Sequence, residues 1–128
     1  MNPLKIEGTA KTPAVTFSAG DGRMEISGKS IPENSVEFYQ PIYEWLDQYA
    51  SQPAAATTIK VQLEYFNTSS SKCLLDVFRK LAALQKAGKS TVTVQWMYEE
   101  EDEDMMEAGD DYQAIVGIPF QLLKVEVE

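Results

Sequence analysis

The sequence predicts an α/β fold: a largely parallel or mixed sheet with helices packed on it, in the order β-β-α-β-α-β-α-β. Three observations predict it. Segments that alternate apolar and polar residues are interleaved with segments of helical period. Clusters of glycine, proline and small polar residues separate them. The length of 128 residues with 44% hydrophobic content suits one domain, residues 1–128, with one core.

The first residues read as an extended arm. Pro13-Ala14-Val15-Thr16-Phe17-Ser18 alternates as a half-buried strand does, Ala19-Gly20-Asp21-Gly22 supplies a turn, and Arg23 to Gly28 alternates again, which predicts a hairpin. Asn34 or Ser35 caps a helix running to about Ala50. Val36, Tyr39, Tyr43, Leu46 and Ala50 share one stripe of it, and Phe38, Ile42, Trp45 and Tyr49 the next, so the packed arc is wide. Pro41 lacks a backbone donor and is expected to bend this helix or delay its start.

Thr58 to Tyr65 is the clearest strand, with Ile59, Val61, Leu63 and Tyr65 on one side and Lys60, Gln62 and Glu64 on the other. A second helix carries Leu74, Leu75, Phe78, Leu81, Ala82 and Gln85 and stops at Gly88. Thr91 to Met97 is a strand facing inward through Val92, Val94 and Trp96. An acidic helix follows, packed through Met105, Met106 and Tyr112. Ile118 to Val127 is the last strand, with Pro119 confining its start to an edge or entry position.

The net charge of −9 has one source. Between Glu99 and Asp111 there are nine acids and no Lys or Arg, and outside that segment acids and bases balance. Such a surface repels nucleic acid and anionic lipid. It serves either as a solvated helix face or as a guide for a basic partner. No apolar run reaches the ~20 residues of a membrane span, and with no leader at Met1-Asn2-Pro3-Leu4-Lys5 the expected home is the cytoplasm.

Catalytic chemistry finds few footholds. With no histidine, Ser-His-Asp and Cys-His systems, histidine-ligated metals and histidine phosphotransfer all drop out. Neither GxGxxG nor GxxxxGK[ST] is present. The acids of 99–111 lack EF-hand spacing, and solvated carboxylates have nothing to shift their pKa. The single cysteine, Cys73, allows no intramolecular disulfide and is expected to be a buried small residue. The expectation is a protein with no catalytic residue, no metal and no cofactor.

What remains is Asn67-Thr68-Ser69-Ser70-Ser71, at the junction between the central strand and the second helix. One residue of this kind caps a helix. Five in a row suggest an exposed loop with accessible hydroxyls. If its strand is parallel to the one before it, Phe66 to Ser71 and Gly28 to Asn34 lie at the same end of the sheet, where sites in open α/β sheets collect. A small-molecule site at that end is the alternative, and it needs a concave apolar pocket.

Several segments carry a likeness: Thr12-Pro13-Ala14-Val15, Ile31-Pro32-Glu33-Asn34-Ser35, Phe66-Asn67-Thr68-Ser69-Ser70 and Ile118-Pro119-Phe120. In order and spacing the chain resembles the SiaC family of bacterial regulatory phosphoproteins, which are similar to STAS-domain anti-sigma factor antagonists. The resemblance implies a serine/threonine kinase that phosphorylates Thr68 and a PP2C-type phosphatase that reverses it. It also implies an unmodified form that binds and activates a diguanylate cyclase, raising cyclic di-GMP and promoting biofilm. On this reading Asn67, Ser69, Ser70, Pro32, Glu33 and Asn34 form the docking patch around Thr68. Antagonists that act on sigma-factor pathways carry an Asp-Ser-Ser-Gly type motif, which is not the motif at 67–70.

Overall fold

The computed structural model describes residues 1–126. Its strands are β1 (Leu4–Ile6), β2 (Ala14–Ser18), β3 (Arg23–Ser30), β4 (Ala56–Phe66), β5 (Thr91–Glu99) and β6 (Phe120–Val125). Its helices are α1 (Ser35–Tyr49), α2 (Thr68–Lys86) and α3 (Glu103–Val116). The eight predicted elements are all present in order. The segment read as an arm adds β1, which pairs antiparallel with β2 through Leu4↔Phe17 and Ile6↔Val15.

The six strands lie in sequence order. β2 and β3 form an antiparallel hairpin, and β3, β4, β5 and β6 are parallel neighbours. Parallel neighbours need crossovers, and right-handed crossovers that always step the same way put every helix on one face. The burial pattern agrees. Val15, Phe17, Met24, Ile26, Ile59, Val61, Leu63, Val92, Val94, Trp96 and Phe120 are buried in one core with the inner faces of the helices. Thr16, Glu25, Gln62 and Gln121, on the other face, are exposed.

The largest fully buried side chain is Trp96, 0% exposed, whose indole N–H donates to the Met105 carbonyl at 2.8 Å. Phe66, Phe78 and Tyr112 meet it edge-on with ring centroids 6.1, 6.1 and 5.5 Å away. This cluster fastens α2 and α3 to the sheet. Cys73 is buried, as expected of a small apolar residue.

Four local expectations differ from the structure. α1 starts at Ser35 and runs through Pro41. Pro41 lies on the solvent side of the helix, where water can satisfy the carbonyl that its missing N–H leaves open. Val36, expected on a packed stripe, is 65% exposed; the buried face is Tyr39, Ile42, Trp45, Leu46 and Tyr49. Tyr65, expected inward, is 57% exposed. The cause is a register shift: Gly28 pairs with Leu63 and Lys29 with Tyr65, so Glu64 is an extra residue that reverses the alternation and sends Phe66 inward instead. β6 begins at Phe120, after Pro119, and is an edge strand; Val127 lies outside the described residues.

Candidate functional site

β3 and β4 are parallel, so the β3–α1 and β4–α2 connections share one end of the sheet. Both helix starts are capped by asparagine. Asn34 Oδ1 accepts from Glu37 N at 3.1 Å, and Asn67 Oδ1 accepts from Ser70 N at 2.9 Å. Each cap satisfies an N–H that the first helical turn leaves orphaned.

The run expected to be a loop is in fact the first turn of α2: Thr68 is its first residue, after the Asn67 cap. That placement decides the fate of each hydroxyl. Ser70 is 0% exposed. Its hydroxyl donates to the Ser30 carbonyl at 3.0 Å and accepts from Ser30 Oγ at 2.8 Å. Because the Ser30 proton is used there, the Tyr39 hydroxyl, 2.7 Å away, donates to Ser30 Oγ. Ser69 donates to Asn67 Oδ1 at 3.2 Å and lies 2.6 Å from Ser35 Oγ, so the starts of α1 and α2 are tied together. Ser71 accepts from Tyr112 at its carbonyl, 2.8 Å. Burial pushes the Tyr39 phenol up to about 12, the Ser30 contact offsetting part of it. Burial also raises the phenols of Tyr43 and Tyr112.

Thr68 alone in this run is exposed with its hydroxyl unbonded among the described residues. It lines an open groove of about 650 Å³ between α1 and α2, together with Val36, Tyr43, Ser69, Lys72 and Asp76. The Tyr43 hydroxyl donates to the Cys73 carbonyl at 3.2 Å in the wall of this groove. The groove carries one cation and one anion, Lys72 and Asp76, so its charge is balanced.

The predicted docking residues divide into two sets. Glu33, Asn34 and Ser69 are exposed and Asn67 is half-buried at the surface. Ser70, on the inner side of the first turn of α2, and Pro32, in the β3–α1 connection, are buried and lie beneath that surface. Ser30 and Lys72 were not anticipated at this site, and Tyr39 and Val36 were expected only as packing residues of the first helix. Ser30 was detectable: it continues the inward phase of Met24 and Ile26, and a serine at an inward position needs a polar partner. Among the described residues no group of His, Cys, Asp and Glu is arranged to hold a metal ion, and no helix is long and apolar enough to cross a membrane.

Residues 6–125 match the family described as SiaC family regulatory phosphoprotein. The chain belongs to the SiaC family. Its fold is that of solved SiaC structures. It superposes on apo-SiaC from Pseudomonas aeruginosa with a TM-score of 0.87 at 28% identity, covering 96% of this chain and 99% of that one. It matches equally a structure of the diguanylate cyclase SiaD in complex with its activator SiaC, from the same organism (TM-score 0.88, 28% identity, 95% of this chain and 99% of that one). An uncharacterized protein of P. aeruginosa (strain UCBPP-PA14) is 29% identical over 122 residues, 95% of this chain and 96% of the relative.

Proposed function

We propose that this chain is a non-enzymatic regulatory protein switched by reversible phosphorylation of Thr68. A serine/threonine kinase adds the phosphate and a PP2C-type phosphatase removes it. The unmodified form binds and activates a diguanylate cyclase in the cytoplasm, raising cyclic di-GMP and promoting biofilm formation.

The observation that carries the reading is the sorting of hydroxyls at the start of α2. Ser69, Ser70 and Ser71 are engaged in the fold, whereas Thr68 is exposed and unengaged. A kinase can therefore reach Thr68 without unfolding anything. The cyclase as partner is supported by family membership and by the solved complex of SiaD with its activator SiaC.

Phosphorylation adds roughly −1.5 to −2 charges and three strong acceptors. At the first residue of a helix, the dipole and unpaired N–H groups tolerate an anion, so the fold need not change. The groove does change. Its apolar wall of Val36 and Tyr43 and its balanced charges become an anionic surface that an apolar or acidic partner rejects. Docking is by Asn67, Ser69, Glu33 and Asn34 at the surface, held in place by buried Ser70 and Pro32. The openness of the groove suits a protein surface better than a small ligand, which needs an enclosing pocket.

The test has two readouts. Incubation with the cognate kinase and ATP should raise the intact mass by one phosphate, and Thr68→Ala should abolish the gain; a gain that survives this substitution assigns the acceptor elsewhere. Cyclic di-GMP production by the partner cyclase should rise with wild type. With Thr68→Glu the binding should weaken roughly tenfold, since like-charge or desolvation penalties of about 1.4 kcal/mol suffice for that.

A further inference from the structure

The turn at Phe66-Asn67-Thr68 separates two hollows. One is the α1–α2 groove already described. The other, of about 200 Å³, lies between the end of β4 and the start of α3 and is lined by Glu64, Tyr65, Phe66, Asp102, Asp104 and Met105. We propose that this second hollow receives an arginine side chain of the protein partner. The proposal rests on the reading of this end of the sheet as the docking surface.

Three observations favour that occupant. The hollow offers apolar surface: Phe66 and Met105 belong to or pack on the core, and Tyr65 is 57% exposed beside them. The extra residue at Glu64 turned Tyr65 outward, so the ring's position serves no packing in the core. The hollow is also charged on one side only, with Glu64, Asp102 and Asp104 around it and no Lys or Arg lining it. Among the described residues the cation paired with one of these carboxylates is Lys29, 3.9 Å from Glu64, with both side chains largely in solvent, where such pairs contribute little. Finally, the carboxylates are not all needed by the helix. Asp102 caps α3 by accepting from Met105 N at 3.0 Å, but Glu64 sits at a strand end and has no cap to make.

An apolar base, an aromatic wall and a rim of carboxylates match one side chain well. A guanidinium stacks on an aromatic ring, presents a planar fork to carboxylates and is weakly hydrated, and its methylene stem covers apolar surface. The volume suits one long side chain rather than a helix. The two hollows then respond oppositely to phosphate. Added negative charge at Thr68 favours a cation in the Tyr65 hollow and disfavours an apolar segment in the α1–α2 groove, so the switch operates through the groove while the arginine supplies anchorage.

The test uses the full chain, labelled with nitrogen-15, titrated with N-acetyl-arginine methylamide and with the lysine and norleucine counterparts. The arginine compound should give saturable amide shifts confined to Tyr65, Phe66, Met105 and their neighbours. Tyr65→Ala should weaken the association roughly two- to tenfold. The double variant Glu64→Gln/Asp104→Asn, which keeps the Asp102 cap, should abolish it. Shifts spread evenly along the acidic helix, equal shifts with the lysine compound, or indifference to Tyr65→Ala would each overturn the proposal. In the cyclase assay the same double variant should lose activation and still gain phosphate at Thr68. Full activation by that variant removes the hollow from the docking surface and leaves the switch standing. If wild type neither gains phosphate nor activates a cyclase, the functional reading fails, and the titration still judges the hollow.

Discussion

Thr68 and Ser70 are two residues apart and have opposite roles. Ser70 closes a chain of hydroxyls, from Tyr39 to Ser30 to Ser70 and back to the Ser30 carbonyl, with no exposure. Removing its hydroxyl strands buried partners, so Ser70→Ala should cost about 1–2 kcal/mol in urea denaturation. Thr68→Ala removes no bond to a described residue and should change stability by less than about 0.5 kcal/mol. Tyr39 heads the same chain and gives it a pH limit. Its pKa is raised to about 12 from an ordinary 10.0, so the folded state holds the proton more tightly than the unfolded state. The contribution is complete below pH 10 and is lost as pH rises through 12. The raised phenols of Tyr43 and Tyr112 act in the same direction. Urea midpoints measured from pH 9 to 12 should fall, and Tyr39→Phe should flatten part of that fall, on the order of 2 kcal/mol.

At the scale of elements, α3 shows how an acidic segment is fastened to an apolar core. Its outer face carries Glu103, Asp104, Glu107, Asp110 and Asp111, and its inner face Met105, Gly109, Tyr112 and Val116. Gly109 packs directly on Trp96, where a Cβ would run into the indole ring. Gly109→Ala should therefore destabilise by about 1–3 kcal/mol, seen as a lowered Tm, even though alanine is the better helix former. In β4 the period-two pattern holds from Ile59 through Leu63 and fails at Tyr65, because register depends on the neighbouring strand as well as on the strand itself. The same shift creates the exposed ring of Tyr65 just before the start of α2.

Across the whole molecule, sequential parallel strands leave the two sheet faces unequal. One carries all three helices, and the other is polar and open. The strand order also collects the Thr68 site and the start of the acidic helix at one end, because β3, β4 and β5 all run toward it. If the nine acids of 99–111 guide a basic partner, association should slow and weaken as salt rises from 50 to 500 mM, since exposed charges are screened within ~8–10 Å at physiological ionic strength. Association rates that are insensitive to salt would reduce the segment to a solvated face.

Much was legible in the chain alone. Strict alternation marked β2, β3 and β5, and helical period marked α2, because the spacing of apolar residues is imposed by backbone geometry. The hydroxyl run at Asn67 to Ser71 marked a polar strand-to-helix junction, and a modification there was implied only by the family resemblance. The sequence by itself determined which elements form, in what order, and that Thr68 stands at a strand-to-helix junction. Only the tertiary structure decided which hydroxyls the fold consumes. Ser69, Ser70 and Ser71 look like Thr68 in a string of letters, and they differ only because Ser30, Ser35, Tyr39 and Tyr112, distant along the chain, arrive as partners. Long-range hydrogen bonds have no local signature, so the choice of Thr68 as the free hydroxyl is a property of the folded protein.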